Sequence, residues 1–335
     1  MKVFYHIDND GKCAGFWVKK LAFTGDDYEK EFIPINYNIP FPFERIHKDE
    51  TVYIVDFSIK PEEMDRLLVI TPNVTWIDHH KTAIEAYKDY DKEIRGIRYD
   101  GIAGCMLTFC YLDSMTDGGC GEIKPFTEDM VNRAPWFTKF IADYDVWTFI
   151  YGDDTRAFEK GFILYPHEPT DEIWEKLCTC EFSYNDISLV KEIIHRGKTI
   201  IAYRKSMMTE YCKHRGFEAT LDGHKVFAVN MAMMSSDDFI VDNPNDYDMF
   251  VGFSFDGTMW NYEFRTVNDA VDCSEVAKKY GGGGHRGAAG CNTKDFLLTK
   301  ISREIAVKEI EQKFGCKVKR IVNGEAILCE DSSEV

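Results

Sequence analysis

Val74-Thr75-Trp76-Ile77-Asp78-His79-His80 is a short apolar run that ends abruptly in a carboxylate and two imidazoles. Its first four residues are β-branched or aromatic and read as a strand buried in a sheet. Side chains able to bind a metal, placed at the end of such a strand, reach the edge of the sheet where ligands and catalytic groups collect in α/β folds. By itself Asp-His-His could be a surface turn. Two other strand ends share the pattern. Lys2-Val3-Phe4-Tyr5-His6-Ile7-Asp8-Asn9-Asp10-Gly11 opens the chain, and Thr51-Val52-Tyr53-Ile54-Val55-Asp56 is a buried-type strand closed by a carboxylate. Histidines and aspartates at three strand ends read as one metal site.

Far downstream stands Gly281-Gly282-Gly283-Gly284-His285-Arg286-Gly287-Ala288-Ala289-Gly290. Four glycines let backbone N–H groups approach an anion closely, and a helix starting after them would present a favourable N-terminus. A glycine run alone is more often a flexible loop. Here His285 and Arg286 can add charge and hydrogen bonds. The two signatures lie about 200 residues apart, and in that order they resemble the two signatures of the DHH phosphoesterase family. The likeness covers nearly the whole chain. The short first motif His6-x-Asp8-x-Asp10-Gly11 is most similar to the oligoribonuclease and nucleotide-phosphodiesterase branch, less so to the single-strand DNA exonucleases and manganese pyrophosphatases.

The resemblance implies two divalent metal ions, most simply Mn²⁺, with Mg²⁺, Co²⁺ or Zn²⁺ as alternatives. A mixed nitrogen and oxygen donor set without thiolate suits that choice. It assigns His6 and Asp8 to the first metal, Asp10 to the second, Asp56 as the bridge and His79 to the second metal. A late aspartate completes the set. Asp143 directly follows Ile141-Ala142, as the family ligand does, and is preferred; Asp145 is the second choice. His80 is expected to face the scissile phosphate, and Asp78 to orient a histidine or the strand end. Arg265 and His285 become substrate anchors, with Gly283, Gly284 and Arg286 beside them. Tyr5, Phe57, Trp76, Trp147 and Trp260 could stack on bases, but most should be core.

The implied activity is a two-metal phosphodiesterase that hydrolyses short oligonucleotides, a nano-RNase of 3′–5′ exonuclease type. The alternatives are a cyclic-nucleotide or cyclic-dinucleotide phosphodiesterase, a 3′-phosphoadenosine-5′-phosphate-type phosphatase and, more remotely, a nucleotide sensor without turnover. Charge bears on the choice. Asp and Glu outnumber Lys and Arg 57 to 40, a net charge of −17. A protein that tracks long duplex nucleic acid offers a basic groove instead. The balance favours short oligonucleotides or small nucleotides. Oligomeric state stays open, a homodimer included.

No apolar run approaches the ~18 residues of a membrane span. The N-terminus reads as a strand rather than a secretory signal. Eleven cysteines, an odd number with irregular spacing, suit reduced thiols in a cytoplasmic compartment. The fold expectation is α/β: residues 1–185 form a mostly parallel sheet with helices on both faces, 186–215 a connecting helix, and 216–330 a smaller α/β domain. Helices are expected at Lys12–Phe23, Ile102–Leu112, Glu128–Asp145 (kinked or split in two by Pro135), Pro169–Cys180, Ser188–His214, Cys273–Tyr280 and Lys300–Phe314. Strands are expected at Phe217–Leu221, Lys225–Asn230, Asp248–Phe255 and Thr258–Val267, with hairpin turns at Asp256-Gly257 and Asn323-Gly324.

Overall fold

The computed structural model describes residues 1–22, 30–37, 39–116, 128–179, 188–284, 286–301, 318–322 and 325–328. His285, Asn323-Gly324 and nearly all of the expected Lys300–Phe314 helix lie outside them. The chain divides into two compact units, Met1–Ile201 and Ala202–Val335.

In the first unit β1 (Lys2–His6), β2 (Glu31–Ile35), β3 (Val52–Val55) and β4 (Val74–Ile77) form a parallel sheet in the order β2-β1-β3-β4. Strand periodicity sends alternate side chains to opposite faces. Val3, Tyr5, Val55 and Ile77 enter one core, while Phe4, Ile33, Ile54 and Trp76 enter the other. Such strands carry continuous apolar runs because both faces are covered.

The helices of this unit are α1 (Asn9–Leu21), α2 (Pro61–Ile70), α3 (Lys81–Ala86), α4 (Gly104–Thr116), α5 (Glu128–Arg133), α6 (Trp136–Asp145), α7 (Asp153–Phe162), α8 (Glu172–Thr179) and the start of α9 (Ser188–Arg215). Phe16 and Trp17 of α1, Leu107 of α4, Phe137 of α6, Phe158 of α7 and Trp174 of α8 fill the first core. Met64 and Leu67 of α2 serve the second. Each such side chain stabilises the fold by about 1.5–3 kcal/mol when fully buried. Pro135 divides α5 from α6 as expected, since its ring cannot continue a helix.

The second unit holds β5 (Gly216–Leu221), β6 (His224–Asn230), β7 (Met249–Phe255), β8 (Trp260–Thr266), β9 (Gly283–Gly284), β10 (Ala288–Thr293) and β11 (Thr299–Lys300). They form one sheet in the order β11-β5-β6-β7-β8-β10-β9, antiparallel except for β6 and β7. The turn between β7 and β8 is held by Asp256, whose Oδ1 accepts from the amides of Thr258 and Met259. Helix α10 (Cys273–Lys279) packs into this unit's core through Val276 and Ala277. β12 (Val318–Val322) and β13 (Glu325–Leu328) pair antiparallel. Among the described residues no helix is long and apolar enough to cross a membrane.

One expectation fails here. Among the described residues no helix starts after the glycine run: Gly283 and Gly284 pair with Gly290 and Ala289 of β10. A Cβ on Gly284 would stand 2.6 Å from the Ala289 Cα. The glycines let two backbones lie together at a sheet edge, so the chain continues as strand.

Candidate metal centre

The ends of β1, β3 and β4 bring His6, Asp56 and Asp78-His79-His80 to one edge of the first sheet. Helix α1 begins at once beyond β1, with Asp8 as its cap: Oδ1 accepts from the Gly11 amide at 2.9 Å. That tight turn places Asp10 in the first helical turn, buried beside Asp56. Helix α6 ends at Asp145, whose side chain joins the group.

Two sets of donors emerge. His6, Asp8 and Asp56 each offer one atom within 4.8 Å of the others, and so do Asp10, His79 and Asp145. His6 Nδ1 lies 2.6 Å from Asp8 Oδ2 and 3.7 Å from Asp56 Oδ2. His79 Nε2 lies 3.2 Å from Asp56 Oδ1, 3.4 Å from Asp145 Oδ2 and 3.7 Å from Asp10 Oδ2. Asp56 therefore touches both sets, one oxygen toward each. Asp56, His79 and His80 form a third such group.

Asp8, Asp10 and Asp78 are held from behind by backbone amides. Asp10 accepts from the amides of Gly104 at 2.7 Å and Cys105 at 2.9 Å, at the start of α4. Such helix-terminal amides favour an anion. Gly104 must be glycine: a Cβ there would stand 2.7 Å from the Asp56 Cβ and 3.0 Å from Asp10 Oδ2. Asp78 is fully buried, and its Oδ1 accepts from the His79 amide at 2.8 Å and meets His80 Nδ1 at 2.7 Å. It fixes the His80 ring through Nδ1 and leaves Nε2 for other work.

The charge balance calls for cations. Neither oxygen of Asp56 has a hydrogen-bond partner, nor does Asp145 Oδ2, although all three atoms are buried. Uncompensated buried polar atoms of this kind are costly. Burial, reinforced by the charge of Asp56, drives the Asp10 carboxyl well above its usual range. Asp56 is driven up mainly by burial as well. Burial and then the charge of Asp10 push Asp145 up to about 8. Burial alone would lower His6, but its contacts with Asp56 and Asp8 outweigh that and push it up to about 10. Protons thus substitute for missing positive charge. The oxygen and imidazole donors fit divalent ions.

The order of preference between the two late aspartates is reversed. Asp143 spends both oxygens on its own loop. Oδ1 accepts from the Thr148 hydroxyl at 2.6 Å and the Ile150 amide at 2.8 Å; Oδ2 accepts from the Tyr151 amide at 3.3 Å and the Thr155 hydroxyl. Burial would raise its pKa, but these donors hold it below the usual carboxylate range. Two residues on, half a helical turn away, Asp145 faces His79.

In the second unit Arg265, on β8, donates to the Met234 carbonyl at 2.8 Å and lies 3.7 Å from Glu263. Arg286 is exposed, donates to the Asp269 carbonyl and approaches Asp272 at 3.6 Å. Gly283 and Gly284 are exposed. Of the aromatics, Trp76 is buried and donates to the Phe57 carbonyl, and Tyr5 donates to Glu168. Trp147 is exposed. Sequence reasoning missed the role of Gly104. It also missed Tyr37, whose ring centroid lies 5.8 Å from that of His6 and 5.9 Å from that of His80. The signal for Tyr37 would have been β2, which went unread.

No protein-family model matches the chain. Oligoribonuclease NrnB of Bacillus subtilis (strain 168) is 27% identical over 318 residues, 88% of this chain and 73% of that protein. The uncharacterized protein R106 of Acanthamoeba polyphaga mimivirus is 26% identical over 266 residues, 76% of this chain and 55% of its own length. The solved structure of a pGpG-specific phosphodiesterase, PggH of Vibrio cholerae, aligns over 93% of this chain and 96% of its own, at 13% identity and a TM-score of 0.36. The Asp-His-His and glycine-histidine signatures stand in order, carboxylates and imidazoles gather at three strand ends, and an oligoribonuclease is similar along most of the chain; in these respects the chain is similar to the DHH phosphoesterases.

Proposed function

We propose that the protein is a metal-dependent phosphodiesterase that hydrolyses short oligonucleotides. The observation that carries this is Asp56: a buried carboxylate with neither oxygen hydrogen-bonded, set between two groups of ligand-type side chains. The similarity to an oligoribonuclease supports the substrate class. Residues His6, Asp8, Asp10, Asp56, His79 and Asp145 would hold two ions, Mn²⁺ by the donor chemistry. Divalent cations bound there supply Lewis acidity toward a phosphate and a nucleophile at neutral pH.

The chain's own groups do the rest. Asp78 holds His80 at Nδ1, and although burial would lower the His80 pKa, the hydrogen bond and charge of Asp78 raise it. A proton kept at Nε2 is available to a phosphate oxygen or to the departing 3′-oxygen. In the second unit Arg265, Gly283, Gly284, His285 and Arg286 are assigned to substrate binding, and residues 1–185, 186–215 and 216–330 to catalytic domain, connector and substrate-binding domain. The cysteine content supports a cytoplasmic setting.

The test is release of mononucleotides from di- to pentaribonucleotides with and without Mn²⁺, beside cyclic nucleotides and pyrophosphate. Metal-dependent turnover fastest on the short oligomers is expected. Binding without turnover by the metal-loaded protein would instead identify a sensor.

A further inference from the structure

Tyr37 follows β2 and is 54% exposed as a residue, while the aromatic residues around it are buried or half-buried. It stacks on Phe57, with centroids 4.4 Å apart and planes at 26°. Phe57 directly follows Asp56, so this ring pair is anchored to the metal centre. Beside it opens a cavity of about 700 Å³, lined by Tyr37, Ile39, Phe57, Ile59, Ala83 and Tyr87. A volume of this size suits a small organic ligand. Single exposed apolar residues are ordinary on a surface, yet Tyr37 and Ile39 are both exposed and flank one concavity. The ring is backed on one face and turned edge-on to the His80 ring, at 79°. Its centroid lies 5.8 Å from that of His6 and 5.9 Å from that of His80, a separation that a sugar spans between a base and its phosphate.

We infer that Tyr37, backed by Phe57, stacks on a nucleobase of the substrate, and that the cavity beside it is the base pocket. The inference rests on the phosphodiesterase reading above. Base–aromatic stacking tolerates any base, because every base has a π-face. The pocket therefore gives affinity for a nucleotide over a bare sugar phosphate, with little base selectivity.

The test measures binding of AMP and of ribose 5-phosphate to the full chain in Mn²⁺ by equilibrium dialysis, together with turnover of the dinucleotide pApA. Tyr37→Leu should weaken AMP binding roughly tenfold or more, while Tyr37→Phe stays close to wild type. Ribose 5-phosphate binding and bound Mn²⁺ should not change, and for pApA the loss should fall on KM with kcat kept. Equal affinity of the wild type for AMP and ribose 5-phosphate overturns the inference. So does AMP binding unaffected by Tyr37→Leu, or an equal loss for both ligands. If AMP binding follows the expected pattern and no dinucleotide is cleaved, the phosphodiesterase reading falls and the stacking site stands.

Discussion

At Asp56 two costs meet in one residue. Its φ of 53° lies in the left-handed region, which a side chain enters at a cost of about 1–2 kcal/mol. Asp56 is 1% exposed, and neither carboxylate oxygen has a hydrogen bond. Strain of this kind persists where the surroundings over-determine it, commonly at functional sites. Removing the charge should relieve the metal-free fold, and glycine should relieve the backbone as well. In EDTA the melting temperature should rise in the order wild type, Asp56→Ala, Asp56→Gly, the last step corresponding to about 1 kcal/mol. In Mn²⁺ the wild type should become the most stable of the three, and both variants should lack turnover. If both variants melt below the wild type in EDTA, the carboxylate is compensated within the protein.

Two elements carry the next predictions. The first turn of α4 supplies the amides that hold Asp10, and Gly104 lies against Asp56. Gly104→Ala should leave a folded protein that binds Mn²⁺ at least about tenfold more weakly, measured by calorimetry, because the added methyl displaces a ligand whose placement tolerates little error. Undiminished affinity would mean that the carboxylates can shift without cost. In the loop after α6, Asp143 is the tie and Asp145 the group facing the centre. Asp143→Asn should lower the melting temperature in EDTA, since it removes charge-assisted bonds worth about 1.5–3 kcal/mol each. Asp145→Asn should instead reduce bound metal without that loss. The reverse pattern would restore Asp143 as the ligand. The sequence could not separate these two carboxylates, for the difference lies in which side of a helix end each faces. β1, β3 and β4 were legible as unbroken apolar runs. β2 was not, because Pro34 and Glu31 interrupt it and it pairs along one edge only. Helix α7 marks its buried face with only two large apolar residues, Phe158 and Phe162, and fills the rest with Thr155, Ala157 and Gly161, too small to make a long apolar stripe. The strand-end ligands were readable because strand order puts their side chains together; the backing donors come from distant segments that no local pattern reveals.

At the scale of the whole molecule, the carboxylates and imidazoles gathered at the three strand ends set a pH dependence. Asp145, about 8, and His6, about 10, both have folded-state values above their ordinary ones. A raised folded value gives stability that is complete below the unfolded pKa and lost as pH rises through the folded one. For Asp145 the loss runs from about pH 4 to 8, and for His6 from about 6.5 to 10. Asp8 is shifted the other way, since its contacts with His6 and the Gly11 amide outweigh burial, so its loss comes only at lower pH. The EDTA-treated protein should therefore melt progressively lower from pH 5 to pH 9. Mn²⁺ should flatten or invert that slope. A flat EDTA profile would show that the cluster carries no excess charge. The same scale holds the division at Ile201 and Ala202, which falls inside α9 rather than in a loop. A sequence pattern marks the helix and gives no sign of where one core stops using it.

The backing bonds also bear on how the ions come and go. The Gly11, Gly104, Cys105 and His79 amides hold Asp8, Asp10 and Asp78 by bonds that do not involve an ion. Without an ion, Asp8 and Asp10 would then keep their places, unlike the ligands of small domains that unfold when their ion is removed. Reloading needs only dehydration of the arriving ion and loss of the protons that took its place. The protein would behave as a reusable receptacle, charged and discharged repeatedly within one folded lifetime, with proton release as the visible signature of each filling.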